Sequence, residues 1–232
     1  MDHSGNYIND MRTYFKKGTL LQCAKGAHIL TTESEKQATY FIDDGFVRIY
    51  SQTARGEQYT HILYGPGEIF PITWLARTPR STLMYETLSD ASIYAVPITQ
   101  LSNDMLANPR LSYGVLQQTI EQYRIYTFRV DNLEYKYASE RLAYRLILLA
   151  NRFGVSVDEG TLIRPVMTHQ IIGTSLNLSR ESVSREMEKL VRKGLVKYNA
   201  SRQIIVADVA LLAKELRLPH HQGLNSKHPL PS

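Results

Sequence analysis

The sequence predicts an α+β fold in three parts: a β-sandwich, roll or barrel in front, one long helix, and a helix-turn-helix closed by a β-wing. Three patterns carry this expectation. Residues 19 to 98 read as short β-branched and aromatic runs separated by glycine turns. After Pro97 the apolar residues recur at helical spacing as far as Phe153-Gly154. From Thr168 two apolar-striped helical segments, joined by about three residues, precede a hairpin pattern.

In the front part, Tyr40-Phe41-Ile42, Phe46-Val47-Arg48-Ile49-Tyr50 and Ser92-Ile93-Tyr94-Ala95-Val96 are strand-length runs. Asp43-Asp44-Gly45, Ala54-Arg55-Gly56-Glu57 and Gly65-Pro66-Gly67 supply the turns between them, because glycine reaches positive φ without steric cost. Trp74 and the tyrosines fit the core or a pocket lining of this part; no basic residues interleave with them as a nucleic-acid stacking platform needs.

Asn108-Pro109 starts the long helix, since proline suits the first helical position. Leu116, Ile120, Tyr123, Thr127 and Val130 alternate steps of 4 and 3, the spacing of a coiled-coil seam. Such a stripe can pack on the β-part or pair with a second copy; a helix this long outruns one small domain, which favours the homodimer. A shorter helix from Ser139 to Arg152 follows, with Leu142, Leu146 and Leu149 on one side. Next come a helical segment from Thr168 to Leu176 and a helix capped by Ser179 whose stripe is Val183, Met187, Leu190 and Val191. Asn177 between them tolerates a left-handed turn. Leu195 to Tyr198 and Gln203 to Val206 form the wing. The resulting divisions are 1–108, the β-part; 109–137, the dimerisation helix; 138–218, the helix-turn-helix unit; and 219–232, a tail.

Composition removes several classes. With 43% hydrophobic and 21% charged residues among 232, the chain is neither disordered nor fibrous as a whole. No run approaches the roughly 20 apolar residues of a membrane helix, and the opening MDHSGNYINDMR lacks the apolar core of a signal peptide, so we expect a cytoplasmic protein without a membrane partner. Cys23 alone cannot make an internal disulfide or a multi-cysteine metal site. His28, His61 and His169 show no metal-ligand spacing, and His220, His221 and His228 sit in the proline-containing tail. No catalytic ordering, phosphate loop or dinucleotide fingerprint is present, so no enzyme is expected.

Charge is unevenly placed. Residues 1–137 carry 13 Lys+Arg against 14 Asp+Glu, whereas residues 138–218 carry 13 against 8. A neutral front and a basic back fit one module that senses and another that meets a polyanion. The basic helix after Ser179 turns Arg180, Glu181, Ser184 and Arg185 away from its apolar stripe. Arginine can fork onto guanine O6 and N7 and glutamate can accept from cytosine N4, so this group can read a major groove. Alternatively, Glu181 and Arg185 form an ion pair one turn apart on a solvated face.

Met167-Thr168-His169-Gln170 through Ser179-Arg180-Glu181-Ser182-Val183-Ser184-Arg185 resembles the family of the cyclic AMP receptor protein and the fumarate–nitrate regulator (Crp/Fnr). Lys25-Gly26, residues 40–50 around Gly45, Gly65-Pro66-Gly67-Glu68, Asn108-Pro109 and Glu140-Arg141-Leu142-Ala143 extend the resemblance from about residue 18 to 215 in the family's order. It implies a β-roll of the cyclic-nucleotide-binding type, a long dimer helix and a C-terminal winged helix-turn-helix. It also implies a homodimer on palindromic double-stranded DNA, with RNA polymerase as a further partner. By position, Arg180, Glu181, Arg185 and Ser184 would meet bases of a TGTGA-like half-site, and Thr168, His169, Gln170 and Ser179 would hold phosphates.

His169 replaces a basic residue frequent in the family, while Gly173 and Asn177 replace a small residue and a glycine. The candidate effector residues are Gly67, Glu68, Arg80, Ser81 and Thr127. Pro71 and the late arrival of Arg80-Ser81 alter the loop that would present N–H groups to a cyclic nucleotide phosphate, so tight use of cyclic AMP is not expected and no other cofactor is implied. Phe128 and the seam spacing leave Thr127 an equally good packing role. One alternative function is a ligand-sensing regulatory subunit whose helix-turn-helix makes protein contacts.

Overall fold

The computed structural model describes residues 6–31, 38–76 and 83–215. These form two compact units, the first ending at Tyr126 and the second beginning at Thr127.

The first unit is a β-roll of two four-stranded antiparallel sheets. One has the order β1 (Thr19–Cys23), β8 (Ala91–Pro97), β3 (Ala38–Asp44), β6 (Ile69–Phe70); the other has β2 (His28–Leu30), β7 (Met84–Thr87), β4 (Val47–Gln52), β5 (Gln58–Tyr64). The continuous apolar run Tyr40-Phe41-Ile42 is buried on both faces of β3. Tyr40 and Ile42 join the roll interior, while Phe41 stacks on Phe15 at 5.6 Å beneath α1 (Asn6–Phe15). Alternation along the strand therefore serves two cores. Glycine is obligatory at the β3–β4 turn: Gly45 has φ 92°, and a Cβ there would lie 2.5 Å from the Asp90 carbonyl.

After α2 (Ile98–Ala107), α3 runs from Pro109 to Glu134. Its Leu111 and Val115 pack with Tyr7, Met11 and Phe15 of α1, and its Ile125 closes the roll interior. The predicted seam is a different face. Leu116, Ile120, Tyr123 and Val130 are 53, 52, 74 and 59% exposed, so this stripe does not pack on the β-part. The helix stops at Glu134, short of the expected Tyr137, and α4 restarts at Ala138, where the Tyr137 N–H donates to the Glu140 carboxylate at 3.2 Å.

In the second unit α4 (Ala138–Phe153) is the hub, burying Leu142, Leu146, Leu149 and Phe153. The expected wing hairpin is β11 (Val196–Tyr198) with β12 (Ile204–Val206). It extends a four-stranded sheet, β11-β12-β10-β9, through β10 (Gly160–Ile163) and β9 (Gly154–Val157), a pair the sequence patterns did not separate. The last described helix is α7 (Val209–Glu215). Arg145 is buried on α4, and its Nε and one terminal nitrogen have no hydrogen-bond partner among the described residues. Burial, then Arg152 and Arg129, push its guanidinium down to about 9.

Candidate nucleic-acid interface

Two helices of the second unit place the candidate DNA contacts. Thr168 caps α5 (His169–Leu176), its hydroxyl accepting from the Ile171 N–H at 3.2 Å. Asn177 ends that helix in the left-handed conformation, φ 54°, and its N–H bonds to the Gly173 carbonyl. Gly173 is the point of closest approach: a Cβ there would sit 2.6 Å from the Leu178 carbonyl. Ser179 then caps α6 (Arg180–Arg192), accepting from the Ser182 N–H at 3.1 Å. The angle between the helices is thus held by a tight turn and two caps, all read from short local signals.

Val183, Met187 and Leu190 bury one face of α6. Val191, assigned to the same stripe from its spacing, is 41% exposed instead, because the stripe narrows to the i, i+4, i+7 positions. Arg180, Glu181 and Arg185 are exposed at the leading end of the helix, and Ser184 is half-buried beside them. The i,i+4 pair of Glu181 with Arg185 is not the ion pair that forms. Arg185 Nε lies 3.7 Å from the buried Glu186 carboxylate, which Lys189 Nζ holds at 2.8 Å. Glu181 instead turns to the helix N-terminus, where its own backbone N–H, the Ser179 hydroxyl and Arg180 hold its carboxyl below the usual range. The helix end therefore presents arginines of one sign and a carboxylate that stays ionised.

Of the candidate phosphate contacts, Thr168, Gln170 and Ser179 are exposed and His169 is half-buried. The His169 Nε2 lies 3.0 Å from the Tyr198 hydroxyl of β11, the rings 6.5 Å apart. Tyr198 was not singled out from the sequence, although its place on the wing next to exposed Lys197 could have marked it. Among the described residues no group of three or more His, Cys, Asp or Glu is placed to hold a metal, and no helix is long and apolar enough to cross a membrane.

Residues 140–215 match the family model of the Crp-like helix-turn-helix domain. Over most of its length the chain is similar to regulators of the Crp/Fnr family. It is 29% identical to the cyclic AMP receptor protein of Thermus thermophilus over 76% of this chain and 78% of that one. With the anaerobic regulatory protein of Bacillus subtilis it shares 24% identity over 78% of this chain and 77% of the relative. Its fold matches that of FixK2 from Bradyrhizobium japonicum with a TM-score of 0.73 at 23% identity, covering 85% of this chain and 96% of that one. It is a Crp/Fnr-type transcription regulator with a helix-turn-helix domain.

The candidate effector residues lie partly among the described ones. Gly67 (φ 87°) and Glu68 lie on the turn between β5 and β6. The Glu68 carboxylate accepts from the Gly65 N–H at 2.7 Å, inside its own loop. Two α3 side chains one turn apart fasten the same segment: Gln118 donates to the Gly67 carbonyl at 3.0 Å and Gln122 to the Ile69 carbonyl at 2.9 Å. Beneath them Phe70 stacks with Tyr40, Tyr64 and Tyr85 at 5.2 to 5.5 Å, all four buried in the roll interior. The β5–β6 turn is thus braced by its own Glu68 and by two glutamines of α3. Arg80 and Ser81 lie outside the described residues. Thr127 is exposed on α3, in the second unit.

Proposed function

We propose that the chain acts as a homodimer joined along the exposed stripe of α3, and that it binds palindromic duplex DNA with TGTGA-like half-sites. The observation that carries this reading is the exposure of Arg180, Glu181 and Arg185 together at the capped leading end of α6. In this reading the two arginines fork onto the guanines and Glu181 accepts from the cytosine opposite, with Ser184 at their side. Thr168, His169, Gln170 and Ser179 hold phosphates, which set position without specifying sequence. The exposed Leu116, Ile120, Tyr123 and Val130 support the dimer, since an apolar stripe of this length calls for a partner and a two-fold axis matches a palindrome. The dimer works in the cytoplasm, and RNA polymerase is the partner it meets at a promoter. The β-roll does not take cyclic AMP tightly, and its packed aromatic interior supports that view.

Selection of bound sequences from random duplex DNA, with and without cyclic AMP, tests the reading. The expected product is an inverted repeat of TGTGA-like half-sites with centres about 10 to 11 base pairs apart, obtained equally in both conditions. Enrichment of no motif, with binding that depends on salt alone, would contradict it.

A further inference from the structure

We propose that His169 and Tyr198 form one proton-linked contact to a DNA phosphate, bridging the start of α5 and the wing. The inference rests on the DNA-binding reading above and adds a residue and a pH dependence to it.

The Tyr198 hydroxyl has one proton, and it lies 3.0 Å from the His169 Nε2. A neutral ring whose Nε2 is bare takes that proton as acceptor, which leaves only phenol lone pairs facing outward. A phosphate would then meet oxygen against oxygen. When His169 is protonated, Nε2–H donates to the Tyr198 oxygen and the hydroxyl proton is released to an outside acceptor. A neutral ring carrying its hydrogen on Nε2 also frees the hydroxyl, but without a positive charge. Only proton uptake supplies both the donor and the charge that a phosphate favours.

The surroundings keep the free protein on the neutral side. The groups facing the ring are Arg180 and Glu188 of α6 and Tyr198 of β11. Burial, followed by the Arg180 guanidinium, lowers the affinity of His169 for a proton, with Glu188 opposing them. A phosphate seated beside the pair reverses the balance, because its negative charge favours the imidazolium. The bound state therefore holds more protons than the free state, and affinity must rise as pH falls through the histidine range. Tyr198 is 40% exposed, and its neighbour Lys197 is also exposed, so the hydroxyl can be reached from outside.

Titration calorimetry of the full chain with a duplex carrying two inverted TGTGA half-sites, in two buffers of different ionisation enthalpy, tests the proposal. Wild-type protein is expected to take up protons on binding, with affinity falling as pH rises by up to about tenfold per pH unit for each half-site, or about a hundredfold for the dimer, at the steepest point. In His169→Gln the uptake should vanish, and in His169→Arg binding should remain tight but lose its pH dependence. Tyr198→Phe should weaken binding about three- to tenfold. Equal proton uptake by wild type and His169→Gln overturns the proposal while leaving DNA binding intact. Unchanged affinity in Tyr198→Phe also overturns it, since the contact is then not shared. Failure of wild type to bind this or any other duplex overturns the DNA-binding reading itself.

Discussion

The β-roll and the helix-turn-helix unit use polar side chains in opposite ways. In the roll, polar groups of the β5–β6 turn are engaged by the fold: Glu68 bonds to Gly65, and the carbonyls of Gly67 and Ile69 receive Gln118 and Gln122. At the head of α6, Arg180, Glu181 and Arg185 stay exposed on a helix whose other face is already buried, with Glu181 turned to its own backbone N–H and the Ser179 hydroxyl. What separates the two regions is exposure: the side chains at the head of α6 face outward, whereas the aromatic side chains around Phe70 are buried. The contrast leaves the leading end of α6 open to a partner while the β5–β6 turn is braced from α3.

The contrast can be broken most severely from the roll side. Phe70→Ala removes the centre of the aromatic stack and should cost about 3 to 5 kcal/mol of stability by denaturant unfolding, because the cavity is too enclosed to refill. The base preference of the folded fraction should stay the same. Arg145→Met should move stability the other way, by about 1 to 4 kcal/mol, since a methionine avoids burying a guanidinium with unmatched nitrogens. A loss of stability would mean that Arg145 has an ionic partner in the working assembly. Arg185→Ala should leave folding unchanged, cost roughly 1 to 3 kcal/mol of specific binding and relax one guanine position. Ile120→Asp should halve the molar mass seen by light scattering at micromolar concentration; a mutant that stays dimeric would exclude this seam. Cyclic AMP should give no submicromolar heat of binding, and such binding abolished by Arg80→Ala would restore the cassette.

The helix-turn-helix was legible because its determinants are local. A serine or threonine before each helix, Asn177 at the left-handed turn and Gly173 at the close approach each act within a few residues. The roll's strand runs were also readable, but the bracing of the β5–β6 turn was not, since the Gly67 and Ile69 carbonyls are held by Gln118 and Gln122, side chains 51 and 53 residues further along the chain. Helix α1 was missed although Tyr7, Met11 and Phe15 stand at i, i+4 and i+8; its short length and polar neighbours hid a stripe that is fully used against Phe41. The pairing of β9 with β10 went unread because its outer residues Val155 and Val157 are exposed, which blurs the alternation. Tyr198 gained its meaning only when the wing brought it to His169.

The central claim is that α6 reads bases directly through its exposed leading residues, and Glu181 tests it most sharply. Its carboxylate carries a negative charge toward a polyanion, so any benefit must come from a specific acceptor role and not from general attraction. Binding-site selection with Glu181→Ala beside wild type is the decisive measurement. The account predicts that the variant loses discrimination at the base pair whose cytosine Glu181 contacts, while its affinity for random duplex barely changes. Retention of the wild-type preference at every position would contradict direct readout by this helix.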